Sequence, residues 1–208
     1  MKRLILLLLP GLLAGGCNVL EYPLYILFAQ HSAKVKAEYD GLCNKKIMVI
    51  VAGRPEIEWK YPYADLDLAL AAAQAVGNHV EGVQLVDPEQ VDRFVQQEPD
   101  WFSLPISEIA ERFEAQAVVY LDLYQFNLAE LDSVNLLRGR AGAQLYVYDM
   151  QAAKPDKPCY ESEINVVYPE HVPLAMGDSS QQRVRRETIA QFTQQLAWKF
   201  YDHKVKIE

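Results

Sequence analysis

Lys46-Ile47-Met48-Val49-Ile50-Val51-Ala52 is a continuous apolar run closed by Gly53 and Pro55. A strand with one wet face alternates apolar and polar residues; this one does not, so it reads as a central strand covered on both faces. Downstream lies a loop, Arg54 to Tyr63, dense in aromatic residues, and then a helix from about Asp65 to His79. Leu66, Ala69, Leu70, Ala73 and Val76 recur in it at helical spacing, and Gly77-Asn78 marks its end. Val83 to Val86 is a short strand. Asp87 can cap the next helix, Pro88 suits its first position and Gln90 stands at capping-box distance, with Val91, Phe94 and Val95 as the apolar face. Pro99 to Phe102 breaks that helix, and Ile106, Ile109, Ala110 and Phe113 mark another short amphipathic one before the long strand Ala117 to Leu128.

The second half reads as an antiparallel meander: a strand from Arg140 to Met150, a turn around Ala153 to Asp156, and a partner strand from Cys159 to Tyr168. Ala143, Leu145 and Val147 alternate with Gln144, Tyr146 and Tyr148, so one face should meet helices and the other should be more open. Gly139-Arg140-Ala141-Gly142 precedes a strand, not a helix, so it reads as a turn and not as a phosphate cradle. A final helix opens at Gly177 to Gln181, with Asp178 and Gln181 at capping-box spacing. Val184, Thr188, Ile189, Phe192, Leu196 and Phe200 form its stripe. The order β-α-β-α-α-β-β-β-α describes an α+β fold, a mixed α/β sandwich whose sheet begins parallel and has helices packed on it.

One passage carries a family resemblance. Ile106-Ser-Glu-Ile-Ala-Glu-Arg-Phe-Glu-Ala-Gln-Ala-Val-Val-Tyr-Leu-Asp-Leu resembles the helix-to-strand step of the envelope modules typified by the TolB N-terminal domain. The curli-secretion lipoprotein and the lipoprotein activators of penicillin-binding proteins share that general architecture. Ala143 to Asp149, the turn, and Cys159 to Val167 are similar to the hairpin of those modules. The resemblance spans most of Lys46 to Tyr201 and implies an envelope domain; a fold of this kind implies no particular activity.

The N-terminus agrees with an envelope location. Lys2 and Arg3 precede the apolar run Leu4 to Leu13, and Ala14-Gly15-Gly16 stands directly before Cys17. A basic start, a short apolar core and small residues before a cut site describe a secretion signal, since a membrane span needs roughly 20 apolar residues. The segment resembles the lipobox of bacterial lipoproteins, with Ala14 where a leucine is usual, which implies acylation of Cys17 and cleavage before it. Two or three acyl chains would hold the chain to a bilayer, at roughly 0.8 kcal/mol for each buried methylene. Asn18 in place of aspartate leans towards the outer membrane, and the layout expected is a signal at 1–16, an anchored tether at 17–45, one domain at 46–203 and a polar tail at 204–208. Tyr22 to Phe28 suits either the membrane interface or a strand packed on the domain.

Charge and chemistry narrow the function. The whole chain has a net charge of −8, and loss of Lys2 and Arg3 leaves 18 basic against 28 acidic residues, about −10. That balance excludes a basic nucleic-acid footprint and electrostatic binding to anionic lipid. Cys43 and Cys159 could bridge in an oxidising envelope, or stay as two thiols. No CxxC pair or histidine lies near them, and His31, His79, His171 and His203 lack i, i+4 pairing, so neither a metal nor another cofactor is expected. No nucleophile elbow is present. Acid pairs such as Asp65 with Asp67 and Glu161 with Glu163 read as solvated faces.

Two groups of residues suit a partner. Trp59, Tyr61 and Tyr63 concentrate aromatic contact area in one loop, or fold over the edge of the core. Arg183, Arg185 and Arg186 crowd the first turns of the last helix, where its dipole disfavours cations, so they suit an acidic partner or local ion pairs. The reading is a membrane-anchored envelope protein, facing the periplasm and without catalysis, that docks on a protein partner as an accessory, assembly or activator subunit. A glycan- or peptide-binding module using residues 59–63 and a carboxylate-based glycan hydrolase are the alternatives. Oligomeric state is not legible.

Overall fold

The computed structural model describes residues 32–206. The signal segment, Cys17, the 22–28 stretch and His31 lie outside the described residues. The chain divides into two units. In the smaller, β1 (Ser32–Val35) pairs antiparallel with β8 (His203–Lys206), from Ser32 opposite Lys206 to Val35 opposite His203. Residues 204–206 of the expected polar tail therefore belong to a strand.

In the larger unit, 36–202, the elements are β2 (Lys46–Gly53), α1 (Pro55–Lys60), α2 (Ala64–His79), β3 (Gln84–Leu85), α3 (Pro88–Gln97), a 3-10 turn (Trp101–Ser103), α4 (Ile106–Arg112), β4 (Ala117–Ala129), β5 (Leu136–Asp149), β6 (Tyr160–Tyr168), β7 (Leu174–Ala175) and α5 (Asp178–Trp198). The sheet runs β3-β2-β4-β5-β6, with β7 on β5. β2 is parallel to both β3 and β4, and the rest is an antiparallel meander. The fold class is α+β, with a mixed sheet and helices packed on it.

Handedness assigns the layers. The chain crosses from β2 to β3 in one direction through α2 and returns past β2 to β4 through α3 and α4. Right-handed crossovers then require the two sets of helices on opposite faces. Ile47, Val49 and Val51 accordingly point into one core with Leu68, Ala72, Val119, Leu121, Leu145, Phe192 and Leu196. Met48 and Ile50 point into the other with Val91, Trp101, Ile109 and Val118. This double burial is why β2 carries no polar alternation. After β6, α5 returns over the face that already holds α2, so that among the described residues no helix covers the α3/α4 face across β5 and β6.

Several local expectations are corrected. Residues 36–45, read as tether, belong to this unit: Leu42 is fully buried, Glu38 and Tyr39 amides donate to Lys199 O at 2.9 Å, and Tyr39 stacks on Tyr160. The Arg54 to Tyr63 loop contains α1, with Pro55 at its first turn. Gly139 to Gly142 is no turn but lies inside β5, where the strand needs glycine for close approach. A Cβ on Gly139 would collide with Thr188 of α5, and one on Gly142 would come within 2.6 Å of the Tyr124 ring. Asp87 caps α3 as expected, accepting from Glu89 N at 3.0 Å. Asp178 does not cap α5, because Gly177 holds the N-cap position in extended backbone.

Candidate functional site

The aromatic loop separates into one internal and two external rings. The Tyr61 hydroxyl donates to Asn127 Oδ1 at 2.6 Å and accepts from Leu128 N at 3.0 Å, while its ring packs edge-on against Phe126. Trp59 is 88% exposed, and Tyr63 is 68% exposed at the N-cap of α2 with φ 63°. The arginines also differ. Arg185 reaches back to α2, with Nη2 2.6 Å from Asp67 Oδ2, and lies over Phe126, whereas Arg186 pairs with its neighbour Glu187 and Arg183 is exposed.

Tyr61 fixes the position of α1 at the far end of β4, where other apolar side chains emerge. Leu131 and Val134 stand in the β4–β5 connection; Val172 and Met176 flank β7, whose two residues pair with Leu136 and Leu137. Val134 is 81% and Val172 73% exposed. The connection is tied down beneath them: Glu130 accepts from Arg140 at 2.6 Å and pairs with Arg138 at 2.7 Å, and the Met176 amide donates to Asn135 O. The Arg140 bond and the Leu131 amide hold Glu130 below the usual carboxylate range. Trp59 and Tyr63 flank the anchored Tyr61 in sequence, and Leu131, Val134, Val172 and Met176 stand around the β4–β5 connection and β7, all six exposed; together they are termed the apolar end. Such exposure on a soluble face marks an interaction surface when several large side chains share it.

A second surface follows from the uncovered half of the sheet. Tyr120, Asp122 and Tyr124 of β4, Gln144, Tyr146 and Tyr148 of β5, and Glu161, Glu163 and Asn165 of β6 share the face opposite α5 by strand alternation and register. Lacking a side chain, Gly142 lets the Tyr124 ring cross β5, so that its hydroxyl stands 2.6 Å from Glu163 Oε1 and 2.7 Å from Asn165 Oδ1. Burial first, and then that carboxylate, pushes Tyr124 up; the bonds from Tyr124 and Asn165 hold Glu163 down and ionised. The Arg54 guanidinium lies 5.9 Å from the Tyr124 ring centre, a cation-π geometry.

Other candidates offer less. Of the two alternatives for Cys43 and Cys159, the structure has the free thiols; Cys159 Sγ donates to Val147 O at 3.2 Å and lies 3.3 Å from Tyr39 Oη. Asp65 and Asp92 face one another across a narrow crevice between α2 and α3, which Val49, Val51, Leu66 and Val91 also line. Desolvation and then the Asp65 charge raise Glu58 and Asp92. Among the described residues no group of three or more His, Cys, Asp or Glu side chains is placed to hold a metal. Among them, too, no helix is long and apolar enough to cross a membrane.

No protein-family model matches the chain, and neither does any curated protein. Solved structures to which the chain is similar include the PelC dodecamer from Paraburkholderia phytofirmans, at 12% identity and TM-score 0.47 over 81% of this chain and 96% of that one. Lipoprotein GNA1162 from Neisseria meningitidis is similar at 13% identity and TM-score 0.42, over 70% of this chain and 96% of its own. Protein XCC0632 from Xanthomonas campestris follows at 9% and 0.40, over 78% and 85%.

Proposed function

We propose that this chain is a lipid-anchored envelope protein that acts by docking on another envelope component, as an accessory, assembly or activator subunit, and carries no chemistry of its own. The apolar end carries the reading. Leaving Trp59, Val134 and Val172 in water forgoes roughly 1.5–3 kcal/mol of burial for each aliphatic side chain, and more for the indole, all of it recoverable on contact with a partner. Glu130 and its two arginines hold the strands under that surface in one geometry, which lowers the ordering cost of binding. Cys17, acylated, places this surface at a membrane without making the domain itself enter the bilayer.

The test is affinity capture from membranes with the native chain, a Cys17→Ser chain, and a Trp59→Asp/Val134→Asp chain. Recovery of one discrete protein with the native chain, lost in the double aspartate variant while its circular dichroism is unchanged, is the expected result. Equal recovery by both would overturn the surface assignment. Retention of the Cys17→Ser chain in the membrane fraction would overturn the anchor.

A further inference from the structure

We infer that the β6 edge, with the tyrosine–carboxylate face beside it, receives an extended basic segment of the partner protein by strand addition. This rests on the docking reading and names a second contact within it. The sheet ends at β6, a nine-residue strand that pairs with β5 alone among the described residues. An unpaired edge offers a row of backbone donors and acceptors that another strand can satisfy. Protected edges are short, bulged, or carry proline or charged side chains, lysine above all; the charges on β6 are Glu161 and Glu163, which repel acidic strands and leave basic ones admissible. β6 has no lysine, and its register with β5 is continuous from Val147 opposite Tyr160 to Gly139 opposite Tyr168.

Side chains on that edge specify the occupant. Glu161, Glu163 and Asn165 stand two residues apart on the open face, all three exposed, with Tyr146 beside Glu161 and Gln144 beside Glu163 across the strands. Asp122 lies on the same face, and Arg54 is the cation the structure places over a ring there. At the other end of β5, Arg138 and Arg140 are both paired with Glu130, so they leave the carboxylates at 161 and 163 unneutralised. An added strand places alternate side chains on this face. Basic residues two positions apart would then meet Glu161 and Glu163 as cross-strand pairs, with their stems against the tyrosine rings. A second copy of this chain would bring the same carboxylates and an overall charge of −8 towards the edge, which opposes self-pairing.

Fluorescence anisotropy with synthetic nine-residue peptides tests the inference on the detergent-solubilised full chain. The peptides alternate valine with lysine, or valine with glutamate, or carry N-methyl groups on every second amide of the lysine version. The lysine peptide should bind roughly 10-fold or more tightly than the glutamate peptide, from two attractive pairs exchanged for two repulsive ones. Glu161→Lys/Glu163→Lys should reverse the preference, and N-methylation should abolish binding. Equal affinity for the two charges, no binding, or indifference to N-methylation would overturn the inference. So would a sedimenting dimer dispersed by Glu163→Lys, or displacement of the lysine peptide by a glucosamine oligosaccharide. Failure here with intact membrane capture leaves the apolar-end docking standing; loss of capture with peptide binding intact refutes that docking surface instead.

Discussion

Gly139→Ala should loosen the whole α5 layer, and a second substitution should reverse the effect. Gly139 lies in β5 beneath α5, and a Cβ there would collide with Thr188 Oγ1 while standing 3.0 Å from Thr188 Cβ and 3.1 Å from Val184 Cγ1. The neighbours cannot yield cheaply: Val184 and Thr188 are both fully buried, and the Thr188 hydroxyl already donates to Val184 O at 2.7 Å. Overpacking costs about 1–3 kcal/mol, here in the upper part of that range, about 2–3, because the colliding neighbours are buried, and replacing a strand glycine returns roughly 0.5–1 kcal/mol, so the net loss is about 1–2.5 kcal/mol. In a domain of this size that lowers Tm by about 2–10 °C. Thr188→Ala alone costs about 1 kcal/mol, from one buried methyl and a hydroxyl bond to a carbonyl the helix already uses. In the Gly139→Ala background it should instead stabilise, because the colliding oxygen is gone. Thr188 Cβ remains, so recovery is partial. Urea unfolding of the soluble Cys17→Ser chain, followed by far-ultraviolet circular dichroism with m unchanged, gives the coupling energy. Additive effects, or a Gly139→Ala chain as stable as the native one, would refute the packing argument.

Three further outcomes are expected. Burial, foremost, pushes Tyr120 and Tyr160 up to about 12. Their folded values exceed the unfolded value near 10, so the stability tied to their neutral forms is full below about pH 10 and is lost as pH rises through about 12. Phenolate absorbance should show Tyr120→Phe removing a late-titrating ring, and loss of an early one would contradict this. At the acid side, burial opposes ionisation of Asp149, but Lys45 at 2.9 Å and the Gln151 amide outweigh it and hold the carboxyl below its ordinary value. That contribution is present above about pH 4 and lost as pH falls through the lower folded value. Lys45→Met should flatten the acid limb of a stability-against-pH curve; an unchanged limb would remove Asp149 from the account. Finally, the native Cys17→Ser chain should give two thiols reactive without denaturant, since both are exposed and free. A mass lower by two hydrogens would show instead that they had bridged.

Much of the architecture was legible because its causes are local. The unbroken apolar run of β2 announces burial on both faces, Val184, Thr188, Phe192 and Leu196 of the expected α5 stripe are buried, and Asp87-Pro88 caps α3 where the spacing says. Misreadings arose where a local signal had a distant cause. Gly139 and Gly142 look like turn residues, yet they are glycine because Thr188 and the Tyr124 ring come close to a strand. Asp178 has capping-box spacing, but the path of the chain from β7 puts Gly177 at the cap. Three aromatic residues in one loop look equivalent in sequence. Tyr61 is taken inward by Asn127, 66 residues away, and this separates it from Trp59 and Tyr63.

The sequence alone carries the reading of residues 1–17 as a signal and lipidation site, the acidic balance and the order of the main elements, because these depend on composition and on neighbours within a few residues. The buried face of α2 was only partly legible, since Leu68 and Ala72 are buried where Leu66 and Leu70 were expected. Glu161 and Glu163 were visible as an acid pair, but nothing local says that they border an unpaired edge or share a face with Tyr124. Those facts come from the return of α5 over the face already holding α2, which among the described residues leaves β6 at the sheet edge and the other side of β5 and β6 without a helix. The apolar end is likewise assembled from α1, the β4–β5 connection and β7. Only tertiary structure decided which surfaces are available, because exposure depends on which distant segments come to lie over them.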